Sequence, residues 1–569
     1  MKGYRKECVI SPLFKLFEAI LELLVPLFIA DIIDTGIATG DKTYVLQKCL
    51  ILVLLAALGL ACSLTAQYFA AKAAVGFSTR INHELFKHIQ KFSYTELDTL
   101  GTSTLITRMT SDTNQVQNGV NLTLRLLLRS PFVVFGAMIM AFTVSVKAAM
   151  IFVVAIPVLA IFIFAILFAT IPLYKKVQSK LDSVLGKTRE NLTGARVIRA
   201  FASEENEIEG YKKSTNELNH AQIFVGKISA FMNPITYVII NIAIVFLIWS
   251  GAVQVNAGTL TQGQVIALYN YMSQILVELI KLANFIITIT KALASANRIQ
   301  SVFEMKPSME QTSTPSCGTE SDYVVEFNHV SLKYKNASQS SLTDIDFKVK
   351  PGEMVGIIGG TGSGKTSLVN LIPRFYDTCD GEVLVDGVNV KDYSNDTLLN
   401  KIGVVPQRAV LFKGTIRDNI KWGKNDSSDE EIMEAIDISQ AKDVIDSKNE
   451  KLDYVVEQGG KNLSGGQRQR LTIARALVKK PEILILDDSA SALDYETDSK
   501  LRSSISNLKY KPTVFIVSQR TASIMNTDKI IVLDDGAIVG IGKHDQLLDT
   551  CDVYKEIYYS QFKKEEVVS

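Results

Sequence analysis

The residues Gly359-Gly360-Thr361-Gly362-Ser363-Gly364-Lys365-Thr366 have the make-up of a loop that closes around phosphate. The glycines leave backbone N–H groups unobstructed, the lysine brings a point charge, and the threonine hydroxyl suits a magnesium ion. The apolar run Met354–Ile358 precedes the loop, and a helix-prone run, Ser367–Ile372, follows it. That strand–loop–helix setting adds a helix N-terminus to the cradle. Further on, Ile483-Leu484-Ile485-Leu486 ends in two carboxylates, Asp487 and Asp488. One carboxylate at a strand end is the expected magnesium anchor, and Asp487 stands there. Shortly before it, Ser464-Gly465-Gly466-Gln467 opens a helical run with the same open, anion-accepting character.

A GxxxxGK[ST] loop together with Leu463-Ser464-Gly465-Gly466-Gln467 resembles the ATP-binding-cassette superfamily, and the resemblance covers essentially the whole chain. It implies further roles. Tyr334, in Val-Ser-Leu-Lys-Tyr, resembles the aromatic that stacks on adenine. Gln407, in Val-Val-Pro-Gln-Arg-Ala-Val-Leu-Phe, resembles the glutamine that senses magnesium and contacts the membrane domain. With Thr366 and Asp487 it completes the expected magnesium set, and Ser367 joins the ATP-binding residues. Ser491-Ala492-Leu493-Asp494 resembles the segment that crosses a dimer interface. In this family two cassettes pair head to tail. Ser464, Gly465, Gly466, Gln467 and Asp494 would therefore contact ATP held by a partner chain.

The elements that must position these groups divide at about residue 322. The 569 residues are 47% hydrophobic, and the long apolar runs all precede residue 300. A bilayer core about 30 Å thick needs roughly 20 apolar residues in helix. Six stretches satisfy this, near 12–33, 44–71, 126–146, 148–173, 229–253 and 264–290. The loops after the second and fourth are long, polar and basic, with Lys72, Arg80, Lys87 and Arg108 in one and Lys175, Lys176, Arg189 and Arg196 in the other. The positive-inside rule puts both loops and both termini in the cytoplasm, with the spans in the cell membrane. Leu105–Asp112 and Glu190–Phe201 resemble the segments around the exporter type's two cytoplasmic loops, whose short coupling helices transmit cassette closure. The reading is a multi-domain chain: an all-α six-helix membrane domain over 1–305, a linker over 306–322, and an α/β P-loop ATPase domain over 323–569.

A net charge of +1 offers no reason to invoke nucleic acid. Six cysteines without a CxxC pair argue against a disulfide framework or a zinc site. The basic start Met1–Lys6 runs into the first apolar stretch without a small-residue cleavage site, so no cleavable signal peptide is expected.

The chain departs from the family pattern at two catalytic positions. The residue after the magnesium carboxylate, normally a glutamate that orients water, is Asp488. After Val514-Phe515-Ile516-Val517 the expected histidine is replaced in Ser518-Gln519-Arg520, and none of the five histidines stands there. Gln519 can donate a hydrogen bond but cannot relay a proton as imidazole does. Glu457-Gln458-Gly459-Gly460 also departs from the usual run before the signature. Beside an intact phosphate loop and signature, these losses resemble the degenerate-site subunit of a heterodimeric bacterial exporter. Drift within a homodimer is the competing explanation.

The implied function is ATP-driven efflux of amphipathic small molecules, with ATP and magnesium as cofactors and membrane lipid and a second half-transporter as partners. An ATP-gated channel, a nucleotide-sensing subunit, or a lipid or peptide exporter are the alternatives. Ionisable residues in spans point to function. Glu278 and Lys281 are the candidates for lining a substrate cavity, and Lys15, Glu18 and Glu22 have the spacing of an internal ion-pair ladder.

Overall fold

The computed structural model describes residues 3–309, 321–335 and 337–562. Most of the expected linker, Cys317 included, lies outside them. The chain forms two compact units. Residues up to Gln90 join Ser103–Met305 in the first, while Lys91–Thr102 groups with the residues from Lys306 onward in the second.

The first unit is built from α1 (Arg5–Asp31), α2 (Lys42–Ile89), α3 (Thr102–Val144), α4 (Val146–Thr193), α5 (Glu204–Asn256) and α6 (Gln262–Glu304). Five of these, α2 to α6, are long and apolar enough to cross a membrane, at 43 to 53 residues each. At 1.5 Å per residue, each runs well past one bilayer thickness. Caps set their starts. Asp41 accepts from the N–H groups of Thr43 and Tyr44, Ser145 leaves helical geometry and caps Ala148, and Thr261 forms a capping box with Gln264. Small buried residues, among them Ala19, Ala66, Ala70, Ala137 and Ala267, let the helices approach closely. At Gly119 a Cβ would collide with the Ala292 methyl.

The second unit centres on a six-stranded sheet. With β1 (Val325–Leu332), β2 (Leu342–Val349), β3 (Met354–Gly359), β4 (Asp380–Val385), β5 (Ile402–Val405), β6 (Ile483–Asp487), β7 (Thr513–Val517), β8 (Lys529–Asp534) and β9 (Ala537–Gly542), its order is β9-β8-β3-β7-β6-β5. All neighbours are parallel except β8 and β9. β6 and β7 are buried along their whole length, as expected of parallel strands covered on both faces. A second, antiparallel sheet contains β2-β1-β4. The helices relevant here are α7 (Lys365–Leu371), α8 (Gly465–Leu477) and α9 (Asp552–Gln561). A short helix from the first long loop, Tyr94–Leu100, also belongs to this unit. Tyr94 stacks on Phe375 with centroids 4.6 Å apart, and the Tyr376 hydroxyl donates to Asp98 Oδ2 at 2.7 Å.

α1 has the length of a span but carries Lys15, Glu18 and Glu22 in its middle, which is why composition alone leaves it outside the five. Its charges are paired. Lys15 Nζ bonds Glu18 Oε2 at 2.6 Å and Ser63 Oγ at 3.1 Å. The expected ladder stops there, because Glu22 pairs with Arg129 Nη2 of α3 at 2.7 Å. Arg129 is the hub. Its Nη1 donates to Glu278 Oε1 of α6 at 2.6 Å, and Ser130 Oγ and Lys281 Nζ complete the Glu278 carboxylate at 2.9 and 2.8 Å. The Arg129 and Glu278 side chains are 8% and 3% exposed. Breaking such a buried pair from one side strands a charge, typically at about 3–5 kcal/mol, whereas replacing both partners by apolar groups costs far less. Arg129→Met and Glu278→Met should therefore each lower the detergent melting temperature more than the double exchange does. Additive losses would contradict the hub.

Candidate functional site

The phosphate-type loop leaves the carboxyl end of β3, and the carboxyl ends of β6 and β7, its neighbours, supply the opposing groups. In such sheets this edge is where ligands gather. Gly364 has φ +93°, and a Cβ there would lie 2.7 Å from the Ser341 carbonyl, so the loop requires glycine. Lys365 Nζ donates to the carbonyls of Gly359 and Gly360 at 3.0 and 2.6 Å. Burial holds its ammonium below the ordinary lysine range, against the pull of Asp488 and Asp487. Thr366 Oγ1 donates to Asp487 Oδ1 at 3.0 Å. Asp487 is 5% exposed, and burial pushes its carboxyl above the usual carboxylate range.

These groups open on a cavity of about 720 Å³. Thr361, Gly362, Gly364, Lys365, Thr366, Ser367, Gln407, Asp487, Asp488 and Gln519 all line it. Gly359, Gly360 and Ser363 form the loop without facing the cavity. Open space lies where a Cβ of Gly362 would stand, so backbone N–H groups can approach a ligand directly. A lysine ammonium facing two carboxylates, and a threonine hydroxyl beside a buried carboxylate, fit a nucleotide phosphate chain and a magnesium ion. Thr366, Asp487 and Gln407 could hold the metal. When bound, magnesium would neutralise charge on the outer phosphates.

The two departing residues sit at this cavity under different constraints. Asp488 has a left-handed backbone, φ +45°, and its N–H donates to the Val517 carbonyl at 3.0 Å. Its own carbonyl accepts from Ser491 Oγ at 2.8 Å. The backbone of Asp488 is thus held on both sides. The nearest side-chain contact is a long one, from Gln407 Nε2 at 3.4 Å. Gln519 is exposed on the cavity, and its backbone carbonyl accepts from Gln561 Nε2 at 2.8 Å.

Other expected residues do not line the cavity. Tyr334 is half-buried beside it. Its hydroxyl donates to Ser367 Oγ at 2.9 Å, and its ring meets Tyr376 edge-on at 4.9 Å. Ser464 caps α8 in a reciprocal box with Gln467. At Gly466 a Cβ would stand 3.1 Å from the Ala492 carbonyl, which seats the signature on the segment 491–494. Ser464, Gly465, Gly466, Gln467 and Asp494 do not line the cavity. Sequence reasoning missed Ser340, Ser341, Asp535 and Gly536, which do. The Asp-Gly pair marks a turn, but nothing in it marks a ligand.

Two family profiles match, one described as ABC transporter transmembrane region over residues 8–279 and one as ABC transporter over 342–491. The chain is 36% identical to the uncharacterized ABC transporter ATP-binding protein YfiB of Bacillus subtilis, covering 99% of this chain and 98% of that one. It is 32% identical to YgaD of the same organism, named for multidrug export, over 99% and 98% of the two chains. It is also 32% identical to an ATP-dependent lipid A-core flippase of Desulfotalea psychrophila over 84% and 83%. A bacterial Atm1-family ABC exporter with ATP bound shares the fold at a TM-score of 0.82, with 22% identity over 99% of both chains. These likenesses, with the apolar helices, mark a multi-pass membrane protein. With membrane and ATPase regions both matched in one chain, the protein belongs to the ABC transporter family as an exporter half-transporter.

Proposed function

We propose that this chain is the degenerate-site half of a heterodimeric ATP-driven exporter. Its own site binds ATP with magnesium but hydrolyses it poorly, and its signature completes the working site of a different half-transporter. The observation that carries the reading is Asp488, one methylene shorter than glutamate, whose backbone is held by Val517 and Ser491. A displacement of about 1 Å can cost on the order of 10²-fold in rate. Gln519, facing the same cavity, lacks the charge and proton relay of a histidine.

Lys365 would meet the outer phosphates, Thr366, Gln407 and Asp487 the metal, and Tyr334 the adenine after turning from Tyr376. Ser464 to Gln467 and Asp494 would meet ATP on the partner's loop, which agrees with their absence from this chain's cavity lining. Its substrates would be amphipathic small molecules, in keeping with the relative named for multidrug export, while the relative named a lipid A-core flippase agrees with the lipid alternative. Of the two cavity candidates, Lys281 is the accessible one. With Glu22 and Glu278 it borders a cavity of about 340 Å³, and Glu278 is there paired with Arg129. The ATPase domain and both termini would be cytoplasmic, with the spans in the cell membrane.

Purified alone, the chain should release phosphate about 10²-fold more slowly than an ordinary exporter. Ordinary turnover by the isolated chain would sink the reading. In the assembled pair, Asp488→Asn should change turnover by no more than about twofold, while removing the equivalent glutamate of the partner should stop it. Equal losses would make Asp488 a working base.

The two ATP sites should also separate through Ser464. Ser464→Arg puts a bulky side chain where the signature meets the partner's ATP. It should halt phosphate release by the pair while an ATP analogue still photolabels this chain. Lys365→Ala should do the reverse, weakening that labelling and leaving residual turnover. Lost labelling with spared turnover in Ser464→Arg would overturn the head-to-tail assignment.

A further inference from the structure

Gln561, at the end of α9, holds the loop after β7 with both ends of one carboxamide. Its Nε2 donates to the Gln519 carbonyl at 2.8 Å, and its Oε1 accepts from the Thr521 N–H at 2.8 Å. A side chain must offer a donor and an acceptor together to do this, which a carboxylate or an alkyl group cannot. The helix that carries Gln561 is itself fixed. Tyr554 is fully buried, and its hydroxyl is hydrogen-bonded to His544 Nδ1 at 2.7 Å.

Between the two anchored residues stands Arg520. Its guanidinium donates to the carbonyls of Leu493 and Ser491 at 3.2 and 3.5 Å, and its N–H is taken by Ser518 Oγ at 2.9 Å. Ser491 Oγ in turn donates to the Asp488 carbonyl. A continuous set of hydrogen bonds therefore runs from α9 through residues 518–521 to the segment 491–494 and the backbone of Asp488.

We propose that Gln561 is a positioning residue for catalysis. Through the backbone of Gln519 and Thr521 it places Arg520, and through Arg520 it places Ser491–Asp494, the segment offered to the partner's ATP. Gln561 itself does not line the cavity. The effect on the partner's site rests on the half-pair reading above, whereas the placement of the loop and the segment does not.

The test is steady-state ATP turnover by the assembled pair carrying Gln561→Ala, Gln561→Glu or Ser560→Ala, with photolabelling and melting of each. Gln561→Ala should lower kcat about fivefold, with KM for ATP, labelling of this chain and melting temperature near those of the parent. Gln561→Glu keeps the acceptor for Thr521 but sets a carboxylate oxygen against the Gln519 carbonyl, so it should be as slow. Ser560→Ala, which loses a hydroxyl bonded to Ile557 within α9, should retain full turnover. Unchanged kcat in Gln561→Ala, parent-like turnover in Gln561→Glu, or a loss matched by lower labelling and melting would each overturn the proposal. Should the half-pair reading itself fail, the parent chain alone will turn over ATP, and the same three variants measured in that chain still decide the role of Gln561.

Discussion

Backbone hydrogen bonds at the carboxyl end of β6 decide how far the second carboxylate reaches. The Asp488 N–H is given to β7 through Val517, and its carbonyl is taken by Ser491. Both bonds belong to the structure that holds the site together, one to the strand pairing and one to the turn into the segment 491–494. On the proposed reading, the rigidity that would preorganise a site for water attack by way of glutamate is what would penalise aspartate. Everything else in the cavity, from the glycine that Ser341 demands at 364 to the Thr366–Asp487 bond, remains built for a metal-bound nucleotide.

An analogous economy operates in the membrane unit. Three carboxylates and three cations lie among α1, α3 and α6, and Arg129 lies within 4.0 Å of all three carboxylates, closest to Glu22 and Glu278. Charges of this kind are tolerated in lipid only when they face one another. Arg129 thus ties three helices that are distant in sequence. Lys281 and Glu22, at 43% and 41% exposure, are the most open members of the cluster, and they line one cavity together with Glu278.

The candidate site residues stand out in the sequence because their chemistry is written in contiguous runs. Gly359–Thr366 and Ser464–Gln467 state their geometry through glycine and helix-cap types, and the strand ahead of Asp487 is apolar on both faces. The longer partnerships were not legible. Glu278 lines a cavity beside Lys281 as expected, but spacing within one helix could not reveal its partner Arg129, 149 positions away. The ladder Lys15–Glu18–Glu22 followed from helical periodicity, yet Glu22 turned to α3, because a guanidinium there outcompetes a lysine already engaged by Glu18. Tyr334 was identified, but its neighbour Tyr376, which joins it to Asp98 of the helix Tyr94–Leu100, carries no local signal. Nor does Gln561, an ordinary polar residue at a helix end.

The most direct measurement restores the two missing groups. Asp488→Glu and Gln519→His would be combined in the pair whose partner site has been silenced by loss of its glutamate, and phosphate release measured at saturating ATP. If the site is complete but for reach and proton relay, turnover should return by about 10²-fold over the silenced pair carrying the native residues. A pair that stays silent, while an ATP analogue still labels this chain, would contradict it and place the defect elsewhere than at Asp488 and Gln519.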